Sequence, residues 1–270
     1  MEKNDQKITA HSFVRMKRKG EKIVFLTAYD YFTALALDRA GIEGILIGDT
    51  LNMVVYGRKD TLSATMEQML MHTGAVSAAV SRAFVVGDMP FLSYQASDSD
   101  AITNAGRFLK EGGAGGVKLE GGLEMAARVK RLVELGIPVM GHIGLTPQSI
   151  NRFGGYKVQG KTETSHSYLV ESALALEEAG CFAIVLEATK NDVAADITSK
   201  LTIPTIGIGA GPKVDGQIMV INDIMGLDEE FQAKFVRRYF RLGEKLREVA
   251  GQFLKDVKRG DYPNDSESYG

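Results

Sequence analysis

Eight short, largely apolar runs recur along the chain, and their rhythm limits the possible folds more than any other feature. They fall at residues 23–29, 44–48, 83–87, 116–119, 138–141, 182–186, 204–208 and, more weakly, 218–221. None alternates in polarity, so each reads as a strand covered on both faces, and each is too short to be a buried helix. Between them, segments 32–40, 66–80, 100–110, 125–135, 168–179 and 193–201 carry apolar residues at helical spacing, and most run into a glycine. Strand then helix, eight times over, is the pattern of a parallel α/β protein. Eight units in 270 residues match a (β/α)8 TIM barrel better than a doubly wound open sheet of about six strands.

The reading is one barrel domain over residues 1–270. Within it, 228–258 forms a C-terminal helical extension, with Phe231, Phe235, Tyr239, Leu242 and Leu246 on one side, and 259–270 forms a polar, mobile tail. The extension covers the barrel wall or meets another subunit. Basic and acidic residues nearly cancel, 32 against 34, so no global field recruits nucleic acid or an anionic membrane. No apolar run approaches the length of a bilayer span. Cys181 is the single cysteine and the N-terminal stretch lacks a secretory apolar region, which together fit a reducing cytoplasm and a small-molecule partner.

Catalytic groups of such a barrel project from the C-terminal ends of strands. The residues closing the apolar runs are therefore the candidates: Asp49 with Thr50, Asp88, Lys118 with Glu120, His142 and Glu187. Taken singly, a strand-end acid is as readily a helix cap, and a lone histidine is more often packed than ligating. Carboxylates crowded on one rim repel unless a cation offsets them, so Asp49, Asp88 and Glu120 together point to a hard divalent metal, with magnesium the default. Lys118 also leaves open a metal-free Schiff-base aldolase. The GIGAG stretch at 207–211 lacks full nucleotide-binding spacing and reads as a glycine loop near an anion, while 153–160 (FGGYKVQG) reads as a loop over the site. Cys181 reads as packing.

Seven ordered blocks, LTAYDY, IGDTLNMVVYG, DMPF, VKLEGG, GHIGLTPQS, FGGYKVQG and IPTIGIGAG followed by DGQ, resemble the ketopantoate hydroxymethyltransferase family over roughly residues 20–225. The resemblance implies a barrel of the phosphoenolpyruvate/pyruvate group. It would transfer a one-carbon unit from 5,10-methylenetetrahydrofolate to 3-methyl-2-oxobutanoate, giving 2-dehydropantoate on the way to pantothenate. Carried onto this chain, Asp49 and Asp88 ligate Mg2+ and Glu120 completes or supports the site. Thr50 and Lys118 hold the oxo acid, Glu187 accepts the proton, and His142 stands behind them. A homo-oligomer, a decamer in the family, is also implied.

The chain departs from the family pattern in three places. Thr50 replaces the usual serine, Ala188, Thr189 and Lys190 replace Cys-Val-Pro after Glu187, and the helix around His72 lacks an arginine-rich end. These changes touch the folate side and the loop behind the base, and leave the metal and oxo-acid residues intact. Two rival readings are another Mg-dependent, enolate-forming lyase or mutase of the same barrel group, and a barrel that binds an oxo acid without turning it over.

Overall fold

The computed structural model describes residues 6–269. Residues 1–5, part of the stretch read above as leaderless, and residue 270, the end of the expected tail, lie outside the described residues. The chain divides into two compact units at Val220.

In the first unit eight strands close a barrel in sequence order: β1 (Ile23–Thr27), β2 (Gly44–Ile47), β3 (Phe84–Asp88), β4 (Gly116–Glu120), β5 (Val139–Gly144), β6 (Ala183–Glu187), β7 (Thr205–Ile208) and β8 (Gly216–Met219). Every neighbouring pair is parallel, and β8 returns to β1. The expected TIM barrel is what forms, because the apolar runs of β2 to β7 are largely buried from both sides, by side chains inside the barrel and by helices outside it, whereas Val24 in β1 and Gln217 in β8 are exposed. Small residues make this packing possible. A Cβ on Gly44 would lie 2.1 Å from the Phe25 ring, so glycine at the start of β2 gives that ring its place.

The helices are α1 (Ala10–Arg18), α2 (Tyr31–Ala40), α3 (Leu51–Val54), α4 (Met66–Ala79), α5 (Asp98–Lys110), α6 (Ala126–Glu134), α7 (Ile150–Phe153), α8 (Glu163–Glu178) and α9 (Asn191–Lys200). Several begin earlier than hydrophobic spacing predicts because polar residues cap them. Asp30, Ser97 and Thr162 each accept a backbone N–H three residues on, at 2.9, 3.0 and 3.2 Å.

The barrel unit departs from the sequence reading in two places. No helix joins β7 to β8, since residues 209–215 are too few for a crossover helix, and β8 starts two residues before the apolar run at 218. The second miss is α1, which presents a single large anchor to the core. Phe13 is fully buried at the N-terminal ends of the strands, its ring centroid 5.0 Å from Phe25, 5.7 Å from Phe84 and 5.9 Å from Phe182. Lys17 adds polar anchorage at the same end through Thr198 O and Ile203 O, both at 3.0 Å, and Asp215 at 2.9 Å. The barrel is thus plugged at one end and open for chemistry at the other.

The second unit holds α10 (Ile221–Met225), α11 (Leu242–Arg259) and a 3-10 turn at Asp265–Glu267 within the stretch expected to be a tail. The helix expected from residue 228 starts only at Leu242. The Asp228 carboxylate accepts the N–H groups of Glu230 and Phe231, while Arg238 donates to the carbonyls of Asp228, Glu229 and Phe231. These local bonds occupy backbone groups that a helix would need. Along α11, Leu246, Val249, Phe253, Leu254 and Val257 are exposed. Among the described residues no helix is long and apolar enough to cross a membrane.

Candidate active site

Six ionisable side chains meet at the open end of the barrel because the strands carrying them finish side by side. Asp49 lies two residues past β2, Asp88 closes β3, Lys118 and Glu120 stand two apart on β4, His142 lies in β5 and Glu187 closes β6. Residues two apart on a strand share a face. Asp88 is level with Lys118 across one ladder, and Glu120 with His142 across the next.

Lys118 Nζ donates to Asp88 Oδ1 at 2.6 Å and lies 3.8 Å from Glu120 Oε1. The other Asp88 oxygen accepts the Asp49 N–H at 3.0 Å. His142 stands between two carboxylates, with Nδ1 3.5 Å from Glu120 Oε1 and Nε2 3.3 Å from Glu187 Oε2. Five of the six groups are buried, whereas Glu187 keeps 19% of its side chain exposed and so faces whatever enters from solvent. Thr50, half-buried, follows Asp49 at the start of α3 and does not cap that helix with its side chain. Cys181 is buried elsewhere and its thiol is pushed up to about 12 by burial, which rules it out as a ready nucleophile.

Two buried residues join the cluster unforeseen. Gln148, after β5, reaches Asp49 Oδ2 at 3.0 Å through its side chain and Glu120 Oε2 at 3.0 Å through its backbone N–H. Tyr94 accepts the Glu120 N–H at 3.0 Å and donates to Gln148 Oε1 at 2.8 Å. Gln148 sits inside the GHIGLTPQS block, the only hint in the sequence. Nothing in the sequence distinguishes Tyr94 from an exposed tyrosine.

The electrostatics follow from three buried carboxylates sharing one lysine. Asp49 is held well above the usual carboxylate range, first by burial and then by the charges of Asp88 and Glu120. Burial likewise raises Asp88, against the pull of Lys118. Burial disfavours charge on Lys118, but Asp88, Glu120 and Asp49 outweigh it and keep the ammonium charged. Glu120 is held low despite burial, by His142 and Lys118. Among the described residues, no group of three or more His, Cys, Asp or Glu side chains is placed to hold a metal ion. The three-carboxylate set expected from the sequence is therefore not closed here. The pair Asp49 and Asp88 remains, and Mg2+ commonly takes one or two protein carboxylates. A buried carboxyl held high by burial and by two acidic neighbours fits a hard dication beside Asp49.

For His142, burial is the largest influence and lowers its pKa, yet the contacts with Glu120 and Glu187 raise it to about 9. The raised value means that its contribution to folding stability is complete below the ordinary pKa of about 6.5. That contribution is lost as pH rises through about 9. The ring signals of His142 in an NMR titration of the metal-free protein should accordingly turn over near 9, and a midpoint near 6.5 would contradict this account.

The segment after Glu187 is built unusually. Ala188 adopts φ +44°, a left-handed conformation costing roughly 1–2 kcal/mol for a residue with a Cβ. Its N–H donates to Ile208 O and its carbonyl accepts from Gln159 N, both at 2.8 Å. The loop 153–160 thus reaches the chain behind Glu187, as the sequence suggested a loop over the site would. Tyr156 of that loop is raised by burial and then by Glu187. Gly144 is needed next to this bend, because a Cβ there would lie 2.3 Å from Glu187 O. In the GIGAG stretch, Gly209 and Gly211 take positive φ and the loop runs directly into β8.

A model of the ketopantoate hydroxymethyltransferase family matches residues 7–265. The chain belongs to that family. The resemblance carried by seven blocks therefore extends over nearly the whole chain. Relatives named 3-methyl-2-oxobutanoate hydroxymethyltransferase include one from Syntrophus aciditrophicus (strain SB), 51% identical and covering 98% of this chain and 97% of its own. Another, from Clostridium botulinum (strain Loch Maree / Type A3), is 52% identical over 97% and 95%. Among solved structures, a phosphonopyruvate hydrolase matches with TM-score 0.61 at 14% identity, covering 96% of this chain and 93% of that one. A 2,3-dimethylmalate lyase of the PEP mutase/isocitrate lyase superfamily matches with TM-score 0.59 at 17% identity, over 96% and 91%. At such identities these two establish the barrel fold that the ketopantoate hydroxymethyltransferase family shares with them, and nothing about chemistry.

Proposed function

We propose that this chain is a 3-methyl-2-oxobutanoate hydroxymethyltransferase of pantothenate biosynthesis. It moves a one-carbon unit from 5,10-methylenetetrahydrofolate to 3-methyl-2-oxobutanoate, giving 2-dehydropantoate. The observation that carries this reading is the arrangement at the barrel mouth. One partly open carboxylate, Glu187, stands beside a buried cluster with a single lysine, in a chain about half identical to relatives of that name.

Asp49 and Asp88 would hold Mg2+, with Glu120 supporting or completing its shell. The ion when bound supplies Lewis-acid polarisation of the 2-oxo acid and charge to offset an enolate. Lys118 binds the oxo-acid carboxylate, its ammonium already fixed in place by Asp88 and Glu120. Thr50 offers a hydroxyl to the same substrate. Glu187 takes the proton from C3, and the electron pair of that C–H bond passes into the C2 carbonyl, giving the enolate. The methylene carbon exchanges its two bonds to folate nitrogens for one bond to the enolate carbon and one to a water oxygen, while the proton taken by Glu187 and one proton of that water pass to the two nitrogens, releasing tetrahydrofolate. His142 steadies Glu187 from behind.

The same reading takes the protein as a cytoplasmic homo-oligomer, a decamer by family resemblance, whose partners are the oxo acid and folate rather than nucleic acid or membrane. The solvent-facing apolar residues of α11 support self-association.

The test incubates the protein with Mg2+, 3-methyl-2-oxobutanoate and 5,10-methylenetetrahydrofolate, with 2-dehydropantoate and tetrahydrofolate as the expected products. Oxo-acid binding without product would leave a non-catalytic barrel. Carbon–carbon or carbon–phosphorus bond cleavage of another oxo acid without folate would point to a lyase or mutase.

A further inference from the structure

Gln148 has every hydrogen-bonding group of its side chain committed. Its two amide hydrogens go to Asp49 Oδ2 at 3.0 Å and Met89 O at 2.9 Å, and its carbonyl oxygen accepts from Tyr94 Oη at 2.8 Å and Gln95 Nε2 at 3.1 Å. An amide offers two donor hydrogens and one acceptor oxygen with two lone pairs, so nothing is spare. Nor can the group turn over. A flipped amide would set its oxygen against a carboxylate and a carbonyl, both acceptors, and its NH2 against the Gln95 amide donors. Tyr94 favours the same orientation from the other side: its hydroxyl receives the Glu120 N–H and lies nearer Gln148 Oε1, at 2.8 Å, than its other acceptor, Glu120 O, at 3.1 Å.

Three catalytic-end elements are tied together through these bonds. The Gln148 side chain holds Asp49 after β2, its backbone N–H holds Glu120 Oε2 at the end of β4 at 3.0 Å, and its amide also grips Met89 O, next to Asp88. Among the described residues no hydrogen bond engages Asp49 Oδ1, so the amide fixes one carboxylate oxygen and leaves the other available. The donor is neutral. A lysine in its place would bind Asp49 more strongly but would spend the negative charge that a dication needs, whereas an amide directs the carboxylate and leaves its charge intact.

We propose that Gln148, held by Tyr94, is a positioning residue that orients the Asp49 carboxylate toward a divalent cation and fixes Glu120 beside it. This rests on the reading of Asp49 and Asp88 as cation ligands given above. Partners of this kind behind a metal ligand typically contribute about 10- to 100-fold in metal affinity.

The test measures binding of Mn2+ alone, by the loss of the free-ion electron paramagnetic resonance signal, to the full-length wild type and to Gln148→Met and Tyr94→Phe. Methionine keeps the volume and removes the amide. Gln148→Met is expected to weaken Mn2+ binding about 10- to 100-fold. Tyr94→Phe should give a smaller loss in the same direction, since it frees the amide to turn without removing it. Thermal unfolding, followed in parallel, separates positioning from stability. If both variants lose thermal stability but bind Mn2+ as the wild type does, Gln148 is a structural residue and the proposal fails. If Gln148→Met does not fold, Tyr94→Phe decides, and unchanged affinity there overturns the proposal. If the wild type itself shows no saturable Mn2+ binding while still binding the oxo acid, the cation reading fails first and the positioning role falls with it.

Discussion

Replacing Glu187 with glutamine is expected to slow exchange of the C3 hydrogen of 3-methyl-2-oxobutanoate for deuterium by roughly 100- to 10,000-fold, while oxo-acid binding survives. The substitution keeps the shape and removes only the ability to accept a proton. Lys118, which binds the oxo-acid carboxylate in the proposed mechanism, remains joined to Asp88 and Glu120 as before. Exchange in D2O without folate isolates the proton-transfer step, and proton NMR follows it directly. The same variant removes one of the two carboxylates in contact with the His142 ring, so the ring should also titrate lower than in the wild type. Exchange at the wild-type rate in Glu187→Gln would mean that another group takes the proton.

The second large effect lies at the opposite end of the barrel. Phe13→Ala should destabilise the protein by about 3–5 kcal/mol, the usual range for removing a fully buried aromatic. The lost ring is in contact with Phe25, Phe84 and Phe182 and carries no polar group, so the cavity left behind is dry and only partly able to collapse. Against a total stability of typically about 5–15 kcal/mol, that loss moves a denaturation midpoint far. Well below that midpoint, the exchange rate at C3 should match the wild type, because the substitution touches none of the residues at the mouth. A change below about 1 kcal/mol would show that α1 is dispensable to the barrel.

These two residues also mark what the sequence discloses and what it hides. Glu187, like Asp88 and Glu120, is polar at the end of a largely apolar run, and a closed parallel barrel turns that one-dimensional position into a place on the rim. Strand positions could be read for the same reason, since burial on both faces leaves a continuous apolar signal. Phe13 gives no such signal, because a nine-residue helix with one deep anchor looks like a polar leader segment. The late start of α11 was hidden because Arg238 and Asp228 bind backbone groups of a segment whose apolar spacing is helical. The missing helix before β8 leaves no local mark, because six earlier crossovers each carry a helix and only the seven residues 209–215 break that rhythm. Gln148 and Tyr94 escaped because their importance lies in partners 99 and 26 residues away, which no local pattern encodes.

The plug has a consequence for the order of assembly. The aromatic seat for Phe13 is made of side chains from β1, from β3 and from the residue before β6, so it exists only once those strands stand side by side. Lys17 needs still later chain, since one of its partners is Asp215, just ahead of β8. Contacts between such distant parts of a chain carry a heavy loop-closure cost and form slowly. The helix that precedes every strand of the barrel in the chain is thus among the last to find its place, and until it does the end that it plugs stands open to water and to other chains.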